Sequence, residues 1–392
     1  MGEYRTQTSG ALEGDGVTKQ GLVIDVSSIP PKPAGAGRYA IELVLNLQRL
    51  VSGFGLISKA RDISFWNGIS SAQVVLSAPS PRPLRIAWEQ AVLGRQLRVR
   101  GRDVYHGVHY TIPKGYRGPR ISTVHDLTMI EHPEWHQRAK VSYFTRAIRY
   151  AVKEADAIIV PSEFTKTRLE SHFGRLEKVK VIHHGVDHDR FHPKRGEPDE
   201  SSEKVGSRND ARVVLHIGTI EPRKNLETLV RAFEILAVDD PHVALLLVGQ
   251  RGWKSDEVYA LIKSSRFRSR IHEIGYVSES ELLKVMHRAS CIAYPSFAEG
   301  FGLPVLEAMA AGVPVVTSAG SVMEEVAGGC AWLCNALDPK DISEKLATAI
   351  SDSPLVRSKV SQGILMSQKF NWVDSAREHL EVYGALGFGL EI

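Results

Sequence analysis

The stretch Tyr294–Ser318, YPSFAEGFGLPVLEAMAAGVPVVTS, limits what this chain can fold into more than any other part of it. An apolar run, Cys291-Ile-Ala-Tyr, enters a glycine loop, and helix formers follow at Leu306, Ala308, Met309 and Ala311. Pro304 suits the first helical turn, where no N–H is needed, and Gly312 followed by Pro314 is a stop signal. The spacing therefore predicts strand, loop, short buried helix and strand, an α/β unit.

Gly300-Phe301-Gly302-Leu303 lies ahead of that helix, and its glycines let backbone amides approach a ligand closely. Free N–H groups at the positive end of a helix suit a phosphate or a sugar oxygen. Glu299 and Glu307 frame the loop, and carboxylates accept from the hydroxyls of a sugar and a ribose. Two glutamates eight residues apart are ordinarily solvated, so the whole string has to carry the inference.

That string, Glu-x7-Glu across a Gly-Phe-Gly-Leu-Pro loop, resembles the donor-site signature of the retaining GT-B glycosyltransferases of the family 4 type. The resemblance covers nearly the whole chain after the first residues and is strongest from about 213 to 327. It implies two Rossmann-like domains facing each other across a cleft, with a C-terminal helix crossing back to the first.

Composition agrees with a soluble two-domain protein: 392 residues, 43% apolar and 24% charged, with no run long enough to span a membrane. The expected division is a tail over 1–18, an acceptor-side domain over 19–195 and a linker over 196–211. A donor-binding domain over 212–370 and a returning helix over 371–392 complete it. Three cysteines are too few for a disulfide framework, and Met1–Gly16 lacks an apolar secretory core, so the expected compartment is the cytoplasm. Residues 51–150 hold fifteen Lys/Arg against six Asp/Glu, an excess of +9, while the whole chain carries +4. A basic first half suits an anionic membrane at the inner face or a diphosphate-bearing acceptor, although a solvated surface has the same composition. No zinc finger or aromatic RNP-type stripe supports nucleic acid.

Other segments extend the resemblance. Gly35 and Gly37 open an amphipathic helix through Leu50, and Gly35-Ala-Gly37-Arg-Tyr resembles the family's Gly-Gly-Ile-Gly-Arg-Tyr loop, with Ala34 in place of the first glycine. A dinucleotide fingerprint also fits formally, but the glycines sit too far past the strand Gly21–Val26. His106 and His125 are expected at strand ends, where open α/β sheets place ligands. His125-Asp126-Leu127 resembles the family's His-Asp loop, in which the histidine reaches the reacting sugar and the aspartate supports the loop. His106, His109, Tyr110 and Asp126 are expected on the acceptor side.

Gly218-Thr-Ile-Glu-Pro-Arg223-Lys224-Asn resembles the family's diphosphate grip, with two cations at a strand-to-helix turn. Gly275-Tyr276 is expected beside the nucleobase, and Ala319–Val326 around the nucleotide. Ser162 and Ser278 are expected helix caps, and Trp372 is read as packing.

What the resemblance implies is hexose transfer, mannose from GDP-mannose first, onto a glycan or polyprenyl-diphosphate-linked saccharide in polysaccharide or O-antigen synthesis. A UDP-glucose or UDP-N-acetylglucosamine enzyme and a sugar-nucleotide epimerase on the same fold remain alternatives. No cofactor and no metal are expected, the nucleotide sugar being a co-substrate. No Asp-x-Asp string is arranged to hold an ion. His125, Glu299, Arg223 and Lys224 are the expected catalytic groups.

Overall fold

The computed structural model describes residues 21–29, 35–100, 103–193 and 212–389. The expected tail, the linker, Pro30–Ala34 and the last three residues lie outside these.

Seven strands form the first sheet: β1 (Leu22–Asp25), β2 (Phe54–Lys59), β3 (Gln73–Ala78), β4 (Val104–Gly107), β5 (Arg120–Thr123), β6 (Ala157–Val160) and β7 (Val179–Val181). Their order is β3-β2-β1-β4-β5-β6-β7, and every pairing is parallel. The second sheet holds β8 (Arg212–Ile217), β9 (Val243–Val248), β10 (Ile271–Gly275), β11 (Cys291–Tyr294), β12 (Val315–Ser318) and β13 (Trp332–Cys334). Its order, β10-β9-β8-β11-β12-β13, is also parallel throughout. Both sheets reverse direction of travel beside their first strand, between β1 and β4 and between β8 and β11. Such switch points leave a crevice at the strands' C-terminal ends, where ligands bind.

Parallel strands are buried on both faces, which explains the continuous apolar runs of β8, β9 and β11. In the second domain, helices Leu226–Asp239 and Pro339–Ala349 cover one face. Helices Leu303–Ala310 and Val322–Ala327 cover the other. Ser278 and Glu281 close a reciprocal capping box at the start of Glu279–Arg288. The helix opened by Gly35 ends at Leu47, three residues short of Leu50, where the chain turns.

The last helix, Trp372–Ala385, leaves the second domain and packs on the first. Gly185 lies so close to it that a Cβ there would sit 2.2 Å from the Trp372 nitrogen. A fully buried polar chain fastens the contact. The Tyr383 hydroxyl meets His106 Nδ1 at 2.8 Å, and His106 Nε2 meets Thr123 Oγ1 at 2.8 Å. Tyr39 then joins Thr123 at 3.0 Å and His379 Nε2 at 2.8 Å. Burial pushes both histidines down, His379 to about 4, so both stay neutral. A neutral ring can give one hydrogen bond and take another, which is what a buried chain of this kind requires.

Candidate active site

The second domain's half of the site stands at the β8/β11 switch point. After β8 the chain makes a tight turn over Pro222–Lys224, and Asn225 takes the left-handed conformation at φ 58°. The Asn225 amide donates to the carbonyls of Pro295 (3.0 Å) and Ala336 (2.6 Å), tying this turn to the loop after β11. Arg223 and Lys224 thereby face Glu299. Arg223 donates to one Glu299 oxygen, and Lys224 Nζ lies 2.6 Å from the other. Glu221 takes the far side of the guanidinium at 2.8 Å, and the Tyr294 hydroxyl donates to Glu299 at 3.1 Å.

Two cations and two carboxylates offset one another's burial, which a lone charge here would not survive. Burial alone would raise the Glu299 carboxyl, but Arg223 and Lys224 outweigh it and hold it at about 2. Burial lowers Lys224 despite the pull of Glu299, while Arg223 is raised because Glu299 and Glu221 overcome its desolvation. The Glu299 carboxylate is ionised at neutral pH.

The loop Gly300–Gly302 then carries the chain to the first domain. A Cβ on Gly300 would sit 2.1 Å from the carbonyl oxygen of His125, so only glycine permits this approach. Gly302 has φ 92° and precedes the helix Leu303–Ala310, whose first turn includes Pro304. Glu307, one turn in, is buried, and Arg38 of the first domain pairs with it at 3.5 Å. Arg38 sits in the first turn of the helix Ala36–Leu47, beside Gly37, with Gly35 at its cap.

On the first domain, His125 follows β5 and is buried, its Nε2 donating to the Val108 carbonyl at 2.8 Å. Burial lowers its pKa, so the ring is neutral with the proton on Nε2. The His109 ring lies tilted to it at 5.8 Å, and the Tyr110 ring meets it edge-on at 5.7 Å. Asp126 turns its carboxylate inward to the backbone N–H (3.0 Å) and hydroxyl (2.8 Å) of Thr128, holding the loop.

The structure corrects one expectation here. His106 is completely enclosed, with both ring nitrogens bonded to Thr123 and Tyr383, so no acceptor reaches it. The returning helix covers the end of β4 that was expected to open on the cleft. Gly275 ends β10 and Tyr276 follows it at the sheet edge, two strands from β8, with Tyr276 56% exposed. Gly218 lies against Lys224, its hypothetical Cβ 3.3 Å from Lys224 Cε. Glu325, expected around the nucleotide, reaches the first domain instead. Among the described residues no group of three or more His, Cys, Asp or Glu is placed to hold a metal ion. Arg38, Tyr294 and Glu221 were not singled out in the sequence. Arg38 and Glu221 lie inside motifs quoted for their neighbours, while Tyr294 reads as an ordinary strand residue.

Known families match both halves of this arrangement: Glycosyltransferase Family 4 over residues 33–190 and Glycosyl transferases group 1 over residues 197–364. The chain belongs to the GT-B glycosyltransferases. This glycosyltransferase is 27% identical over 372 residues to the O-antigen chain mannosyltransferase B of Escherichia coli, covering 90% of this chain and 96% of that one. Its fold is similar to Anabaena HepE, solved with UDP and glucose, at a TM-score of 0.72 and 19% identity over 93% of this chain and all of that one. Sucrose-phosphate synthase from Thermosynechococcus elongatus superposes at a TM-score of 0.77 and 19% identity, covering 94% of this chain and 99% of that one. No helix among the described residues is long and apolar enough to cross a membrane.

Proposed function

We propose that this glycosyltransferase moves a hexose, mannose from GDP-mannose, onto a glycan or lipid-diphosphate-linked saccharide with retention of anomeric configuration and without a metal ion. The observation that carries this is the buried cluster of Arg223, Lys224 and Glu299 set against His125 by the Gly300 contact. Arg223, Lys224 and the amides of 300–303 take the charge of the departing diphosphate. Preorganised groups of this kind contribute roughly 10²–10³ in rate each. Neutral His125, its Nε2–H engaged by Val108, keeps Nδ1 as an acceptor for a sugar hydroxyl, and Glu299 orients the same sugar. Glu307 exchanges Arg38 for the ribose hydroxyls. The acceptor attacks on the face the diphosphate leaves, and the leaving phosphate oxygen takes the acceptor's proton. The mannose assignment is supported by the likeness to the Escherichia coli mannosyltransferase along almost all of its length.

The acceptor's carrier is a lipid at an anionic membrane surface, at the cytoplasmic side. Arg82–Arg100 is one continuous helical stretch with a π-helical turn at Glu89–Leu93. It exposes Leu84, Val92 and Val99 together with Arg82, Arg95, Arg98 and Arg100. Its one carboxylate, Glu89, is buried against Arg85 at 2.8 Å. Apolar and cationic residues exposed together suit an interfacial site.

The test is a thermal-shift panel of GDP, UDP, ADP and NAD with and without EDTA, followed by transfer to lipid-linked acceptors and NMR of the product's anomeric carbon. A ligand at 100 times its Kd adds about 2.7 kcal/mol. A GDP-selective shift that survives EDTA is expected. A UDP-selective shift moves the donor to UDP-glucose or UDP-N-acetylglucosamine, and donor conversion without an acceptor moves the reaction to epimerisation. An inverted product refutes retention.

A further inference from the structure

One helical turn of the first domain holds the second domain at four points. The helix Glu163–Phe173 begins after Ser162, whose side chain caps it by accepting from the Thr165 N–H at 3.0 Å. The Ser162 hydroxyl lies 3.1 Å, and the Thr165 hydroxyl 3.2 Å, from the carbonyl oxygen of Gly300, the glycine seated on His125. The next two N–H groups of the turn, those of Glu163 and Phe164, point at Glu325 of the second domain. Its Oε1 accepts from Glu163 at 2.9 Å and its Oε2 from Phe164 at 2.8 Å. His183 of the first domain adds a contact to Oε1 at 3.3 Å.

A helix leaves its first N–H groups without intrahelical partners, and a carboxylate there gains both hydrogen bonds and the helix dipole. Glu325 therefore caps a helix that belongs to the other domain. Its partners exist only while the domains are together.

We infer that Glu325 is a positioning residue: by capping Glu163–Phe173 across the cleft it latches the domains closed and holds the Gly300 loop on His125. The inference rests on the proposed transfer reaction for its catalytic consequence, but the latch itself does not. Opening it lifts Gly300 from Ser162, Thr165 and His125 together, because all three meet at one residue. The donor domain keeps Arg223, Lys224 and Glu299 intact, so nucleotide binding is spared. What is lost is the closed arrangement that presents the sugar to the acceptor and keeps water out.

The experiment compares parent, Glu325→Ala, Glu325→Gln and Thr165→Val on the full chain. Small-angle scattering without substrate is expected to show a larger radius of gyration for Glu325→Ala. Turnover should show transfer about tenfold slower, as expected for losing charge-assisted hydrogen bonds, with donor hydrolysis undiminished and nucleotide Kd within about twofold of the parent. Glu325→Gln keeps one acceptor oxygen and falls between. Thr165→Val removes one hydroxyl bond to the loop and moves the same partition less far. A purely structural role would lower the melting temperature without changing the transfer-to-hydrolysis ratio. Identical scattering for parent and Glu325→Ala overturns the latch, and an unchanged ratio in an opened variant overturns the positioning role. A parent that transfers no sugar counts against the proposed reaction, while the scattering comparison still decides the latch.

Discussion

Arg38 Nη1 stands 3.5 Å from Glu307 Oε1, an ion pair joining the helix Ala36–Leu47 of the first domain to the helix Leu303–Ala310 of the second. Both side chains are largely buried, Glu307 at 7% exposure, so this carboxylate is already engaged before a nucleotide arrives. A ribose that takes over Glu307 releases Arg38 toward whatever anion lies in the cleft. Glu307→Ala should therefore weaken nucleotide binding about tenfold, the size of one hydrogen bond to a charged group. Calorimetry without acceptor measures it, and an unaltered Kd removes the ribose contact.

Lys224→Ala should cut turnover by about 10²–10³ while the melting temperature changes little, since Glu299 keeps Arg223 as partner. Lys224→Arg should not restore the rate, because a planar fork does not replace a point charge wedged against Tyr294. Full turnover in the folded alanine variant would dismiss the diphosphate role.

Gly300→Ala forces a methyl to within 2.1 Å of the His125 carbonyl oxygen. Backbone on both sides must give way, at a cost of about 1–3 kcal/mol. A lower melting temperature and a loss of transfer should appear together, and a variant with parental values for both would show that the contact is not needed.

Acid should act on Glu299 in a defined window. Its carboxyl is held at about 2 in the folded protein against an ordinary 4.5. A depressed carboxyl contributes stability above the unfolded value and loses it as pH falls through the folded one. Melting temperature should thus decline between about pH 4.5 and 2, and Glu299→Gln should be less stable at neutral pH but decline less across that interval. Parallel curves for the two proteins would contradict the assignment.

Vesicle sedimentation should show binding to phosphatidylglycerol and not to phosphatidylcholine, weakening with salt. Charge reversal at Arg95 and Arg98 should abolish it, and Val99→Ser should reduce it at any salt. Equal binding to both lipids would leave no role for the arginines.

Local punctuation made much of this architecture readable. Pro304 and Gly312 bracket the helix Leu303–Ala310 within a residue or two, and Ser278-x-x-Glu281 marks the start of Glu279–Arg288 because capping is a short-range geometry. β2 and β3 escaped notice. β2 carries Gly55, which gives the strand no side chain but is demanded by Val75 on its neighbour, 2.7 Å from where a Cβ would be. The helix Arg138–Glu154 was also missed, because it buries only Phe144, Ile148 and Ala151 and its pattern is mostly polar. For the site, Arg223, Lys224 and Glu299 were legible because each sits in a motif with its own loop chemistry. Arg38–Glu307 and Glu325 were not, since a pair drawn from two domains leaves no trace in spacing. His106 misled for a related reason: a strand end looks open until a helix whose Tyr383 lies 277 residues later closes over it.

That closing helix also sets an order of events during synthesis. Tyr39, His106 and Thr123 are made early, yet their partners His379 and Tyr383 follow both sheets in the chain. The domain translated first must wait with an open seam, the Nδ1 of its His106 unmatched, while the domain translated second can close its own core around β8 and β11. A nascent chain stalled short of Tyr383 would thus present the older half, rather than the newer one, to chaperones and proteases.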